Sequence, residues 1–154
     1  MENPKSGFTI LEALVVIATV GILAGVAIYA LNITRASNRD NKRISDVSVL
    51  RASLSQYWLQ QASYPVSVPV DLGRPGTNTD RLTRDGFVAS DHAATPVYLN
   101  RMPRGPKANE FYRYHGSSSG YSLRFKTERK TVYGAAGTWI AHSTGGVDQE
   151  DMEK

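Results

Sequence analysis

The feature that most constrains this chain is an apolar run of 24 residues, Phe8 to Leu31, in which Glu12 is the only charged side chain. At about 1.5 Å per residue, a helix over this run is roughly 36 Å long, which is enough to cross a hydrocarbon core of about 30 Å. An ordinary secretory signal has an apolar core of only about 7 to 15 residues. The run therefore predicts a retained membrane span over residues 8–31, preceded by a short polar leader, "MENPKSG", over residues 1–7.

Helical signals continue beyond the apolar run, because residues 33–62 contain neither glycine nor proline. Apolar side chains recur there at spacings of three and four, which is the pattern of an amphipathic helix; they are Ile44, Val47, Leu50, Leu54, Tyr57 and Trp58. We therefore predict one continuous helix of about 55 residues, whose amphipathic part covers residues 32–62. Ser63-Tyr64-Pro65 ends it, since the residue before a proline avoids the α region.

The rest of the chain predicts a small head that makes the fold class α+β. Residues 63–109 are rich in proline and glycine and indicate loops, with a short helix around Asp80 to Ser90. Residues 110–154 contain three strand candidates, "EFYRYH", "GYSLRFKTE" and "GTWIAHS", followed by an acidic tail. We predict a small antiparallel sheet whose inner face covers the helix around Leu50 to Trp58.

Charge is unevenly distributed along a chain whose net charge is +4. Residues 101–130 hold eight basic side chains against Glu110 and Glu128, whereas the last seven residues hold Asp148, Glu150, Asp151 and Glu153 against Lys154. A basic segment of this kind attracts nucleic acid, anionic surfaces or acidic neighbours, but interspersed charges also simply keep a small domain soluble. The absence of cysteine excludes disulfides and thiolate metal sites.

No set of residues predicts an enzyme, a cofactor or a metal site. His92, His115 and His142 are scattered and form no zinc motif, and neither a nucleophile elbow nor a phosphate-binding loop is present. A binding role has two interpretations. Basic side chains in the strands, Arg113, Arg124 and Lys126, are candidate contacts for an anion or DNA, with aromatic neighbours that stack on bases; those neighbours are Tyr112, Tyr114, Tyr121 and Phe125. Alternatively, the aromatic side chains pack in the core.

The N-terminal stretch Gly7-Phe8-Thr9-Ile10-Leu11-Glu12, followed by the apolar run, resembles the signature of type IV pilins and of the pseudopilins of type II secretion. The resemblance implies that a prepilin peptidase cuts between Gly7 and Phe8 on the cytoplasmic side and methylates the new amine of Phe8. It also implies that the N-terminus stays inside. The positive charges at residues 35–43 favour the opposite orientation, and the resemblance overrides them.

The resemblance also gives roles to residues inside the span. It implies that Glu12 pairs with the amine of Phe8 on a neighbouring subunit and so aligns it for assembly. Gly21 and Gly25 form a G-x-x-x-G pair, which either lets helices pack closely or arises by chance, and Gly21 matches a small position of the family motif. Tyr29 stands where many family members have a proline that loosens the helix. Some relatives bind calcium, but the acidic tail of this chain has no recognisable ligand loop, so we expect no metal.

The resulting prediction is a structural subunit of a type IV pilus-like filament that serves adhesion, twitching motility or DNA uptake. Its expected partners are other copies of itself, the prepilin peptidase and the pilus assembly platform. The precursor would lie in the cytoplasmic membrane and the product in a filament at the cell surface. Two alternatives stay open, namely a type II secretion pseudopilin in a short periplasmic filament, and a minor pilin that binds DNA.

Overall fold

The structure is a computed structural model, and it describes residues 9–149. Helix α1 spans Ile10–Gln61 and is followed by strands that make two antiparallel sheets. The strands are β1 (Ser67–Asp71), β2 (Arg81–Thr83), β3 (Gly86–Val88), β4 (Val97–Leu99), β5 (Arg113–Gly116), β6 (Tyr121–Thr127), β7 (Gly137–His142) and β8 (Val147–Asp148). The chain divides into two compact units, residues 1–36 and residues 37–154. The predicted α+β class, with a long N-terminal helix and a small antiparallel sheet, is confirmed.

In the first unit, the described residues are helical from Ile10 onward. The helix contains an apolar window long enough to cross a membrane, and none of that window is buried within the chain. The predicted span is therefore helical from Ile10 onward.

In the second unit, α1 buries the stripe that its sequence predicts. Val47, Leu50 and Leu54 are each 1% exposed, and Tyr57 is also buried. Two members of the predicted stripe are not buried: Ile44 is half-buried, and Trp58, which lies beside Tyr57 on the helix, is 45% exposed. The helix ends at Gln61, where Ala62 takes a positive φ of 52° and donates its backbone N–H to the Trp58 carbonyl.

The larger sheet has the strand order β1-β5-β6-β7-β8. Alternate side chains of β5, β6 and β7 point to the helix and form the core with its buried stripe; they include Tyr114, Tyr121, Leu123, Phe125, Trp139 and Ala141. The three predicted strands are thus confirmed as the centre of a sheet that β1 and β8 extend. We call the face with these side chains the inner face, and the opposite one the outer face.

The smaller sheet has the order β3-β2-β4 and corrects the prediction for residues 80–90. A short helix there is wrong, because Leu82 pairs with Phe87 and Thr83 with Gly86 in a tight hairpin. Gly86 has a φ of +88°, a conformation that favours glycine and suits a reversal of the chain. With strands of three residues, the period-two pattern is too short to be distinguished from a helical one. Residues 63–109 therefore hold four strands rather than loops alone.

The end of β5 passes very close to the backbone that follows α1. The Tyr114 hydroxyl donates a hydrogen bond to the Pro65 carbonyl at 2.8 Å. A Cβ atom on Gly116 would lie 2.5 Å from that same carbonyl oxygen, which is closer than real Cβ contacts come. Glycine is thus required at residue 116 by contact with the backbone of residue 65.

Candidate assembly surface, charge network and basic face

The exposed part of α1, residues 10–31, is the candidate assembly surface. Apart from Glu12, its side chains are mostly apolar, and they are exposed, with Ile10 at 88%, Leu11 at 73% and Ile22 at 69% exposure. A contiguous apolar surface of this size on a monomer marks contact with lipid or with another protein. The surface is therefore a site that needs a partner outside the subunit.

Thr9 and Glu12 form the start of this surface. The Thr9 hydroxyl accepts a hydrogen bond from the Glu12 backbone N–H at 3.2 Å, and the Thr9 carbonyl accepts the first helical bond from Ala13. Thr9 is thus the N-cap of α1, and Thr-x-x-Glu is the sequence of a capping box, a signal that the sequence analysis missed. Glu12 is exposed in the first turn, where the helix dipole favours negative charge. Gly7 and Phe8 lie outside the described residues, so their processing stays a prediction.

The other residues singled out in the span face open space. A Cβ atom on Gly21 or Gly25 would meet nothing within 4 Å. Tyr29 is 70% exposed, and the helix continues through it. Among residues 9–149, no atom is close enough to require glycine at these two positions.

A charge network ties the head loops to α1, and Arg43 is its centre. The Arg43 guanidinium is 2% exposed and meets three carboxylates, those of Asp40 at 2.7 Å, Glu110 at 2.5 Å and Glu128 at 2.7 Å. Glu110 precedes β5 and Glu128 follows β6, so the two loops are held to the same helix turn. The hydrogen bonds that Arg43 donates to the Glu110 carboxylate, the largest contribution, raise the pKa of Arg43 despite the opposing effect of burial.

The carboxylates of the network have further partners. Asp40 is 1% exposed and accepts backbone N–H bonds from Glu128 and Arg129. Glu128 also binds Arg39 at 2.6 Å and Lys107 at 3.0 Å. Its hydrogen bond with Arg39, aided by those with Arg43 and Lys107, holds the pKa of Glu128 far below its usual range. The hydrogen bond with Arg43 likewise lowers the pKa of Glu110.

This network was not predicted from the sequence, although the sequence contains a signal for it. Arg43 follows Asp40 by three residues and precedes Val47 by four, so both charged residues lie on the stripe that continues through Leu50 and Leu54. Charged residues in register with a buried stripe indicate a buried ion pair. Which carboxylates reach Arg43 from the head depends on loop geometry, which no periodicity predicts.

The basic side chains predicted to contact an anion are brought together on the outer face. Arg113 on β5 lies directly opposite Arg124 on β6, and Lys126 follows two residues later on the same face. These three side chains line a cavity of about 230 Å³, together with Phe111. The aromatic side chains that would stack on bases are buried in the core, with exposures of 1% for Tyr112, 0% for Tyr114, 7% for Tyr121 and 3% for Phe125. The prediction of base stacking is therefore wrong, and the alternative that these side chains pack in the core is confirmed.

The candidate metal-binding residues do not converge within residues 9–149, where no three His, Asp or Glu side chains are placed to hold an ion. His92 lies 3.2 Å from Asp85, and His142 lies 3.3 Å from Asp148. Glu128, a carboxylate in the loop after β6, is surrounded by three cations that oppose a metal ion. The acidic residues 150, 151 and 153 lie outside the described residues.

Comparison with known proteins gives relatives in two filament systems. The chain is 34% identical to the type II secretion system core protein G of Dickeya chrysanthemi over 116 residues, which are 72% of this chain and 69% of that protein. It is also 34% identical to core protein G of Escherichia coli over 132 residues, or 79% of this chain and 80% of that protein. The type IV major pilin PilE1 of Neisseria gonorrhoeae is 30% identical over 78 residues, 51% of this chain and 36% of the pilin. No protein-family model matches the chain, and no solved structure matches it significantly.

Proposed function

This chain belongs to the family of type II secretion core protein G, the pseudopilins among the type IV pilin-like proteins, and from that premise we propose that it is the repeating subunit of a short periplasmic filament. One observation carries the proposal. A long apolar helix, unburied by any of the residues that the structure describes, precedes a small folded head in a chain whose likeness to core protein G extends over most of its length.

The relatives favour the pseudopilin alternative over the subunit of a surface pilus. Likeness to core protein G covers 79% of the chain in the Escherichia coli protein, whereas likeness to the major pilin covers 51%. These relatives are structural proteins rather than enzymes. A role in building a filament is therefore better supported than a role in attachment or motility.

Filament growth would exchange one apolar partner for another. The apolar helix first lies in the cytoplasmic membrane with its N-terminus inside, and the helices of other copies then replace the lipid around it. Repetition of one heterologous contact along an axis gives a filament rather than a closed ring. The prepilin peptidase and the assembly platform of the secretion system are the further partners that this route requires.

Glu12 would guide the exchange. A carboxylate near the centre of a bilayer costs about 2.5 to 3.5 kcal/mol on insertion scales, and less near the interface, so such residues usually have a partner. The proposed partner is the methylated amine of Phe8 on a neighbouring subunit, exposed after cleavage behind Gly7. Mass spectrometry of the mature protein should give a chain that begins at N-methyl-Phe8, and a retained leader would show that this processing does not occur.

Deletion of the gene tests the proposed function. We expect proteins that are normally secreted to accumulate in the periplasm, with no change in filaments on the cell surface, and we expect the intact gene to restore secretion. If secretion persists and long surface filaments disappear, the chain is a pilus subunit and the proposal is wrong.

A further inference from the structure

Three short segments of the head meet at the first turns of its helix. They are residues 39–46 of α1, residues 103–110 before β5 and residues 128–131 after β6. The Lys42 amine donates a hydrogen bond to the Arg104 carbonyl at 2.9 Å, and the Asp40 carboxylate accepts one from the Arg129 backbone N–H at 2.8 Å. Both loops are therefore held at the N-terminal end of the part of α1 that belongs to the head.

These three segments together hold seven Lys or Arg residues and four Asp or Glu residues. Each of the four carboxylates binds a cation of the same segments, in the pairs Asp40–Arg43, Asp46–Lys42, Glu110–Arg43 and Glu128–Arg39. Among residues 9–149, the side chains of Arg104, Arg129 and Lys130 have no carboxylate partner, and all three residues are exposed. We call these three residues the basic rim. Its charge is left over after the carboxylates of the segments are neutralised.

An exposed valine lies in the turn that follows the basic rim. The backbones of Thr131 and Gly134 exchange two hydrogen bonds, of 2.8 and 3.2 Å, and so close a tight turn. Val132 in this turn is 84% exposed. Attachment to a membrane surface depends on two contributions, which are apolar side chains at the headgroup boundary and electrostatic attraction to anionic lipids. The basic rim and Val132 supply one of each.

The sequence keeps the basic rim close to the membrane that the apolar run enters. Only residues 32–38 lie between the end of the run at Leu31 and Arg39, the first residue of the three segments. Seven residues span at most about 25 Å when fully extended. A chain that is anchored by its apolar run therefore holds the first turns of the head within reach of the lipid headgroups.

We propose that, before assembly, the basic rim and Val132 lie on the outer leaflet of the cytoplasmic membrane, with the three cations against the phosphates of anionic phospholipids. This inference rests on the membrane stage of the proposed function. Anchoring by the apolar run gives the rim a high effective concentration at the headgroups, so ion pairs that are individually weak are sufficient. The contact is broken when the subunit leaves the membrane for the filament.

Fluorescence quenching of the full chain in lipid nanodiscs tests the proposal. Because the chain has no cysteine, a dye is attached through Ala135→Cys, at an exposed residue beside the turn that contains Val132. The nanodiscs contain phosphatidylcholine alone or an equal mixture of phosphatidylcholine and phosphatidylglycerol. Each also contains a trace of phosphatidylcholine that carries a nitroxide on its headgroup and quenches the dye only near contact. We expect quenching to rise several-fold with phosphatidylglycerol and to fall back in 1 M salt.

A second dye position is the matched control for the first. Ser118 is exposed in the turn between β5 and β6, and its carbonyl accepts a hydrogen bond from the backbone N–H of Tyr64, beyond the end of α1. A helix from Arg39 to Gln61 is about 33 Å long, so a dye at Ser118→Cys lies at the other end of the head. Its quenching should be low and equal in the two kinds of nanodisc.

Charge variants test whether the basic rim, rather than the net charge, makes the contact. Arg104→Gln with Lys130→Gln should lower the ratio of contacting to free heads about fivefold for each cation removed, because a basic residue near an anionic membrane contributes about 1 kcal/mol. The matched control is Arg74→Gln with Arg84→Gln, which removes the same charge from exposed residues outside the three segments. Thermal unfolding reports that each variant is folded.

Several results would overturn the inference. Quenching at residue 135 that is equal in the two kinds of nanodisc would exclude a contact with anionic lipid. An equal rise at residues 135 and 118, or an equal loss in the two double variants, would show that the attraction is not specific to the basic rim. An inserted chain without quenching overturns only this contact, whereas a chain that does not enter nanodiscs contradicts the membrane stage of the proposed function itself.

Discussion

Arg43→Leu removes the guanidinium that holds two loops of the head to α1. In the intact head, this guanidinium is 2% exposed and binds Asp40, Glu110 and Glu128. Leucine fills part of the space, but it leaves the carboxylates without their shared cation. Asp40 keeps its hydrogen bonds from the backbone N–H groups of residues 128 and 129. Glu110 therefore loses the largest share of its stabilising contacts.

The expected loss of stability is large for a single substitution. Removing one partner of a buried ion pair costs about 3 to 5 kcal/mol, because the other charge stays buried without compensation. The partners of Arg43 are unequally buried, with side-chain exposures of 2% for Asp40 and 21% for Glu110, so we take the lower value, about 3 kcal/mol. For a domain of this size, that loss lowers the melting temperature by roughly 12 °C.

Thermal and denaturant unfolding of the full chain in detergent measures this loss, with tryptophan fluorescence, from buried Trp139 and partly exposed Trp58, as the readout for the head. The matched control is Arg39→Leu, which removes a guanidinium that is 32% exposed and binds Glu128 alone among the carboxylates of the network. Solvent screens the Arg39–Glu128 pair, so Arg39→Leu should lower the stability by less than half as much as Arg43→Leu does. The double variant Arg43→Leu/Glu110→Leu should recover part of the stability, because the stranded carboxylate is gone. Equal losses for the two single variants would refute a central role for Arg43.

The remaining predictions concern pH, a close backbone contact and the assembly residue. The pKa values of Glu110 and Glu128 are lower in the folded head than in the unfolded chain, so the stability that these two carboxylates contribute is complete above about pH 4.5 and is lost as the pH falls further. Unfolding of the head measured at a series of acid pH values should show this loss of stability, and Arg43→Leu should make the stability depend less on pH. Gly116→Ala should cost about 1 to 3 kcal/mol by forcing a methyl group against backbone, whereas Gly146→Ala, with open space around it, should be nearly neutral in the same melts. Glu12→Ala should leave a processed, membrane-bound protein that assembles poorly. A normal filament yield from this variant would show that Glu12 is not needed for assembly.

The helix and the central strands were predictable because the long apolar run, the absence of glycine and proline from residues 33–62 and the apolar periodicity all indicate them. The stripe through Val47, Leu50 and Leu54 has the helical period, and alternation along β6 specifies which side chains face the helix. The β2–β3 hairpin was not predictable as such, because strands of three residues show too little alternation, and the turn depends on the conformation of Gly86.

The candidate sites divide in the same way. The grouping of Arg113, Arg124 and Lys126 follows from strand register, and the sequence indicates that register once two strands are placed side by side. Trp58 falls at an apolar position of the pattern but at the margin of the buried stripe, so it stays exposed. The partners of Arg43 come from loops far away in sequence, and pairing across such distances needs the tertiary structure.

Crosslinking through the apolar helix tests most directly the claim that this helix forms the core of a filament. Because the chain has no cysteine, single cysteines placed in turn at residues 14–20 give no background disulfides. Cells that carry the assembly system should yield oxidised ladders of dimers, trimers and longer oligomers from some of these positions, and the ladders should vanish with Glu12→Ala. A cysteine at exposed Ser90 on the head serves as the comparison. If every helix position gives monomers alone, the apolar helix does not form the core of a filament.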